Sequence, residues 1–250
     1  MSSTSQLIFV NSADRTSGTA EDFYVNLVDI NNDFEDTSLA IQELCIPFSN
    51  YPINSNNNTI ALSGISGSWN ANLTPSNYTP TTFITEFVSQ FGSTGSLGIT
   101  GGITGAYNTA TSRFTFQMVD DTIDWSITPT IYNGKYLGLT EGLHNSVNGA
   151  ITSDKNPILS GALQVRVLTD LQIYSTNTRD SNRNVLCSVF PDCQYGDIIT
   201  KNLSNFTHIK MSSPFIGLTR FWLVDELYNP IDLNGLNWFI TLVRTDFNRN

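Results

Sequence analysis

Basic residues are scarce in this chain: 12 Lys and Arg stand against 22 Asp and Glu, for a formal net charge of −10. Nucleic-acid binding neutralises phosphates with clustered cations, and no run of basic residues occurs. Direct contact with a genome is therefore not expected. Arg113, Arg166, Arg179, Arg183 and Arg220 are scattered and read as solvated or ion-paired. Histidine is equally sparse, with only His144 and His208, far apart in the sequence. A metal site wants closely spaced imidazoles and a nearby carboxylate, so neither a metal nor another cofactor is expected. The three cysteines, Cys45, Cys187 and Cys193, are odd in number and match no zinc spacing. Cys187 and Cys193 flank Pro191 and could meet across a turn, but a reducing compartment disfavours a disulfide. Long apolar runs are missing too, and nothing approaches the ~20 residues of a spanning helix. The opening "MSSTSQLIFVNS" has no charged n-region and an apolar stretch of only Leu7 to Val10. It reads as neither signal peptide nor anchor, and synthesis in the cytoplasm is expected.

Catalytic signatures are absent as well. There is no G-x-S-x-G elbow. The glycine-rich stretch "GSTGSLGITGGITG" lacks the Lys-Ser or Lys-Thr of a phosphate loop. Its glycine spacing of three is too brief, and without proline, for a triple helix. Carboxylates cluster at Asp120, Asp121 and Asp124 and at Asp225 and Glu226. The first group falls at a turn, where Asp serves local hydrogen bonds, and neither has the full calcium-loop pattern. No catalytic residue is assigned, and the chain does not read as an enzyme.

What the sequence does hold is neutral polar and apolar residues. Charged residues make up 14%, well below the ~25% of an average domain. Asn, Ser, Thr and Gly take their place and favour turns and strand surfaces. Strand-like runs recur at short spacing: 6–11, 22–28, 37–48, 58–64, 112–119, 122–128, 161–171, 183–190, 207–211, 217–226 and 237–244. Many short strands between Gly, Pro, Asn and Asp clusters predict an all-β sandwich or barrel. One helix interrupts them. In "YTPTTFITEFVSQFG", Thr79 caps, Pro80 opens the helix, and Phe83, Ile84, Phe87, Val88 and Phe91 form one stripe before Gly92. The reading is a single jelly-roll β-sandwich over 1–250, with two four-stranded antiparallel sheets. Residues 78–140 are expected as an insertion made of a helix (80–91), a Gly-rich loop (92–107) and a hairpin (112–128). Residues 22–28 and 237–244 are expected in one sheet.

Two strands are apolar on both faces. In "LNGLNWFITLV" the residues Trp238, Ile240 and Leu242 share one side, and Phe239 and Val243 the other. "LTRFWLV" likewise puts Leu218, Arg220, Trp222 and Val224 opposite Thr219, Phe221 and Leu223. Solvated sheet faces normally alternate with polar residues. Such faces are covered either by an insertion or by a neighbouring subunit. Phe221, Leu223, Phe239 and Val243 are the contact residues expected on this ground.

The opener "IFVNSADRTSGTAEDFYVNL" resembles the start of penton (minor capsid) proteins of icosahedral double-stranded DNA viruses, including virophages, Polinton-like viruses and giant viruses. "NYTPTTFITEFVSQF", "YNTATSRFTFQM" and "NGKYLGL" are similar to that family's helix, hairpin and Leu-Gly turn. "LQVRVLTDLQIYS" and "PIDLNGLNWFITLV" resemble its last strands. The resemblance spans nearly the whole chain and carries no catalytic residue. It implies an upright jelly roll forming a homopentamer at the capsid vertices of the virion. Its partners would be itself, the double-jelly-roll major capsid protein and minor cement or vertex proteins. The alternative is a jelly-roll glycan- or receptor-binding module of lectin or fibre-head type, marked by exposed aromatics such as Trp69, Tyr78 or Tyr132.

Overall fold

A computed structural model describes residues 3–28, 37–64, 67–92, 102–173, 184–202, 208–211 and 216–247. Arg179, Arg183 and most of the expected loop at 92–107 lie outside them. The chain forms two compact units: unit 1 is Met1–Asn50 with Ala162–Asn250, and unit 2 is Tyr51–Gly161.

Unit 1 opens with β1 (Ser3–Asn11), β2 (Ser17–Gly18), β3 (Asp22–Val28) and β4 (Thr37–Pro47). Unit 2 follows with β5 (Thr59–Gly64), β6 (Gly67–Asn72), helix α1 (Pro80–Gly92), β7 (Ile103–Asn108), β8 (Arg113–Met118) and β9 (Trp125–Thr128). It ends with the short helix α2 (Gly134–Leu137), β10 (His144–Asn145) and β11 (Ala150–Thr152). The chain then returns to unit 1 through β12 (Val165–Thr169), β13 (Asn184–Val189), β14 (Ile198–Asn202), β15 (Ile209–Lys210), β16 (Ile216–Val224) and β17 (Phe239–Phe247).

In unit 1 the first sheet runs β1-β17-β4-β14, with β15 continuing the β14 edge of β4, and the second runs β13-β12-β16-β3-β2. Setting aside the two-residue strands β2 and β15 leaves eight principal strands. Numbered along the chain, they read 1-8-3-6 in one sheet and 5-4-7-2 in the other. Every pairing is antiparallel. This is the strand order of a jelly roll, two Greek keys wrapped into a sandwich.

One core cluster joins the sheets. Ile240, Leu242, Leu44 and Ile46 come from the first, and Phe23, Val25, Val167, Phe221 and Leu223 from the second. The Trp238 ring meets Phe23 edge-on at 5.6 Å, and its indole N–H donates to the Ala20 carbonyl at 2.9 Å. Trp238, Ile240 and Leu242 enter the core as the alternation of the closing strand predicts.

The expected sheet-mates 22–28 and 237–244 are separated. β3 pairs with β16, whereas β17 lies between β1 and β4. The correction is topological. The first jelly-roll strand is β1, and it takes the place in the sheet of β17 that the sequence reading gave to 22–28.

Unit 2 has its own core, which explains why its limits exceed the expected insertion at 78–140. Ile53, Ile60, Leu62 and Leu73 from before that stretch, and Ile151 from after it, pack with Phe83, Phe87, Phe114 and Phe116. Around this core stand a four-stranded sheet, β10-β9-β5-β6, and a three-stranded one, β11-β8-β7. Helix α1 forms where the sequence places it. The Thr79 hydroxyl accepts from the Thr82 N–H at 3.2 Å, and the Thr82 hydroxyl accepts from the Thr79 N–H at 2.9 Å. That is a reciprocal cap with threonine in the usual glutamate position. Gly105 lets the helix sit close on β7, since a Cβ there would come within 2.6 Å of the Ile84 Cγ2.

The hairpin expected at 112–128 does not form. β8 pairs with β7 and β11, and β9 pairs with β5 and β10. The intervening "VDDTID" carries the chain from one sheet to the other. Its Asp120 accepts from the Thr122 N–H at 3.1 Å and from the Thr122 hydroxyl at 2.6 Å.

Candidate functional site

The outer face of the first sheet follows from strand alternation. On β1, Val10 is in the core and Ile8 packs against it, so Leu7 and Phe9 point away. On β17, Ile240 and Leu242 are in the core, so Phe239, Thr241 and Val243 point away. The register then sets Leu7 opposite Val243, Phe9 opposite Thr241 and Asn11 opposite Phe239. Phe9 is thus diagonal to both Phe239 and Val243, within reach of an aromatic ring. Phe9 is 75% exposed, Leu7 49% and Phe239 40%, whereas Val243 is 8% exposed. Val243 is flanked by Leu7 on one side and Ala40 of β4 on the other. The result is a contiguous apolar strip on a sheet surface that ordinarily carries polar side chains. It also borders a sheet edge. β1 stands first in the strand order, and its far side offers unpaired backbone groups among the described residues.

The outer face of the second sheet has a different chemistry. Arg220 of β16 holds Asp22 of β3 with two hydrogen bonds of 2.7 and 2.6 Å. Its guanidinium lies 4.6 Å from the Trp222 ring and 5.9 Å from the Tyr24 ring. Hydrogen bonding to Asp22 raises the Arg220 pKa further above its ordinary value. Arg166 stacks on Tyr228 at 4.5 Å, and Leu218 is exposed. Trp, Tyr and Arg are the residue types enriched in binding hot spots.

These surfaces redistribute the expected contact residues. Phe221 and Leu223 are 0% and 1% exposed, and both belong to the core between the sheets. They cannot face a neighbour, and this is a correction: the side of β16 that points outward carries Leu218, Arg220 and Trp222. Phe239 does lie on an outer face, and Val243 lies beside it under its cross-strand neighbours. Sequence reasoning missed Leu7 and Phe9, although "QLIFVN" shows the same two-faced apolar pattern as the closing strand.

Five of the groups weighed for chemistry, His144, His208, Asp120, Asp225 and Glu226, are occupied structurally. The His144 Nε2 lies 2.8 Å from the Thr140 carbonyl, and the His208 Nδ1 lies 3.0 Å from the Ser38 hydroxyl. Asp225 accepts from the N–H groups of Leu227 and Asn229, each at 2.8 Å. Glu226 accepts from the Leu163 N–H at 3.1 Å. Among the described residues, no group of three His, Cys, Asp or Glu side chains could hold a metal ion. The three cysteines are free thiols, and burial pushes the Cys187 thiol up to about 12. Trp69 packs into the unit 2 core against Phe91, and of the aromatics named for the lectin alternative only Tyr132 is exposed. No helix among the described residues is long and apolar enough to cross a membrane.

No protein-family model matches the sequence, and no curated protein does. Solved structures do align with it. The mavirus penton protein aligns at 12% identity over 98% of this chain and 99% of its own, with a TM-score of 0.48. A chain of the Sputnik virophage structure aligns at 11% identity over 97% of each, with a TM-score of 0.42.

Proposed function

We propose that this chain is a structural capsid protein, a penton that assembles through the outer faces of its jelly roll into a homopentamer at the fivefold vertices of a virion. The observation that carries this reading is the apolar strip Leu7–Phe9–Phe239 beside the open β1 edge. A monomer gains nothing from a phenylalanine that is 75% exposed, while an interface gains the burial of its surface, worth about 25 cal/mol per Å². A cyclic ring is heterologous, so each subunit needs two unlike surfaces that fit each other. The two outer faces are unlike in the required way, one aliphatic and phenylalanine-rich, the other built from Arg220, Trp222 and Tyr24. Contact with the major capsid protein, and with cement or vertex proteins, belongs to the same reading.

Sedimentation of the purified chain tests it. Phe9→Asp and Phe239→Asp each place a charge in the strip, and each is expected to shift the chain towards smaller species while leaving its melting temperature nearly unchanged. Sedimentation unaltered by both substitutions would remove the strip from the interface.

A further inference from the structure

The four-stranded sheet of unit 2 is two-faced in another way. Ser68 of β6 pairs with Ser63 of β5, Ser63 with Ser126 of β9, and Ser126 with Asn145 of β10. Residues directly opposite share a face, so these four form one polar row across all four strands. The reverse face carries Leu62 and Ile127, both in the core. Over three of the four, Ser63, Ser126 and Asn145, lies an open cavity of about 430 Å³, completed by Gly64, Asp124, Trp125 and Ser146. That volume falls within the roughly 300–1,000 Å³ of small-molecule sites.

We propose that this cavity binds a neutral sugar, a pyranose recognised through its hydroxyl groups. Three observations select that chemistry. First, no basic residue lines the cavity among the described residues, and the Asp124 carboxylate repels anions, so phosphate, sulfate and acidic sugars are disfavoured. Second, the lining groups match sugar hydroxyls. A carboxylate accepts two hydroxyl protons, an amide both donates and accepts, and serine hydroxyls turn to suit. Among the described residues, Asp124, Ser126 and Asn145 spend none of this capacity on side-chain hydrogen bonds.

Third, the frame around them is fixed. The Ser146 hydroxyl accepts from the Trp125 N–H at 3.0 Å, the Ser146 N–H donates to the Trp125 carbonyl at 2.8 Å, and the Trp125 indole N–H donates to the Gly149 carbonyl at 2.7 Å. A framework held in this way reduces the ordering cost of binding. The site lies wholly within unit 2 and does not depend on the assembly reading, which rests on unit 1.

Saturation-transfer NMR on the full chain tests the site, with the methyl glycosides of glucose, galactose and mannose as probes and sialic acid as the acidic comparison. At least one methyl glycoside is expected to show transfer, and sialic acid none. Asp124→Ala and Asn145→Ala, both at exposed side chains, are expected to weaken binding about tenfold or more, the usual effect of losing a hydrogen bond to a charged or well-placed group. Lys155→Ala, in a separate cavity of unit 2, is expected to leave it unchanged. Melting temperatures of all variants check that each is folded. No transfer to any glycoside, stronger binding of sialic acid, or glycoside binding indifferent to both Asp124→Ala and Asn145→Ala would each overturn the proposal.

Discussion

Phe221 and Phe239 show how strand parity separates a core position from a surface one. Both sit in strands with apolar residues on two faces, yet Phe221 is fully buried and Phe239 is 40% exposed. Phe221 stacks on Phe23 at 6.1 Å between the sheets, so Phe221→Ala leaves a cavity there. The expected loss is about 3–5 kcal/mol of unfolding free energy, measurable by chemical denaturation under conditions where the chain is monomeric. A loss below about 1 kcal/mol would place the ring outside a well-packed core. The three thiols are all half-buried, and the pKa shift is large for Cys187. Burial raises the Cys187 pKa to about 12, so at pH 8 its thiolate fraction is very small, and thiolate is the reacting species. Iodoacetamide labelling read by mass spectrometry should therefore modify Cys187 last of the three, its rate still rising with pH above 9. Labelling of Cys187 first would contradict that environment.

At the scale of elements, helix α1 was the most legible part of unit 2, because its signals are local. Thr79, Pro80, the aromatic stripe and Gly92 all act within a few residues of one another. Replacing the cap, Thr79→Ala, should lower stability by about 1 kcal/mol, seen as a reduced melting temperature with the fold retained. The strands were legible where β-branched and aromatic residues run together, as in β3, β4, β8, β12, β16 and β17. β6 ("GSWNAN") and β7 ("ITGAYN") were not, since Gly, Asn and Ala carry little strand preference. They are strands because β5 and β8 pair with them. Pairing is non-local, so the sequence misjudged it at two places: the supposed hairpin across 112–128, and the sheet to which β3 belongs. The candidate site was half legible for a related reason. The surplus of apolar positions is visible in one strand at a time, but the face that looks outward depends on which strands neighbour it. Phe221 and Leu223 were assigned to the wrong side, and Leu7 and Phe9 were passed over.

The whole chain combines a jelly roll with a second unit placed, in sequence, between β4 and β12. Each unit has its own hydrophobic core, and each presents a surface of distinct chemistry. In unit 1 that surface is apolar and aromatic-cationic, suited to protein contact. In unit 2 it is hydroxyl-rich with one carboxylate, Asp124, the surface proposed to take a small polar ligand. The low proportion of charged residues, 14%, fits both, since charged residues are depleted at interface cores and a neutral-sugar site needs few. The acidic balance of −10 is consistent with a shell component that does not bind the genome directly. The native mass spectrum of the purified chain tests the assembly reading most directly. We expect a dominant species of five copies that Phe9→Asp disperses into smaller ones; a chain that remains monomeric at every concentration, with Phe9→Asp indistinguishable from it, would contradict that reading.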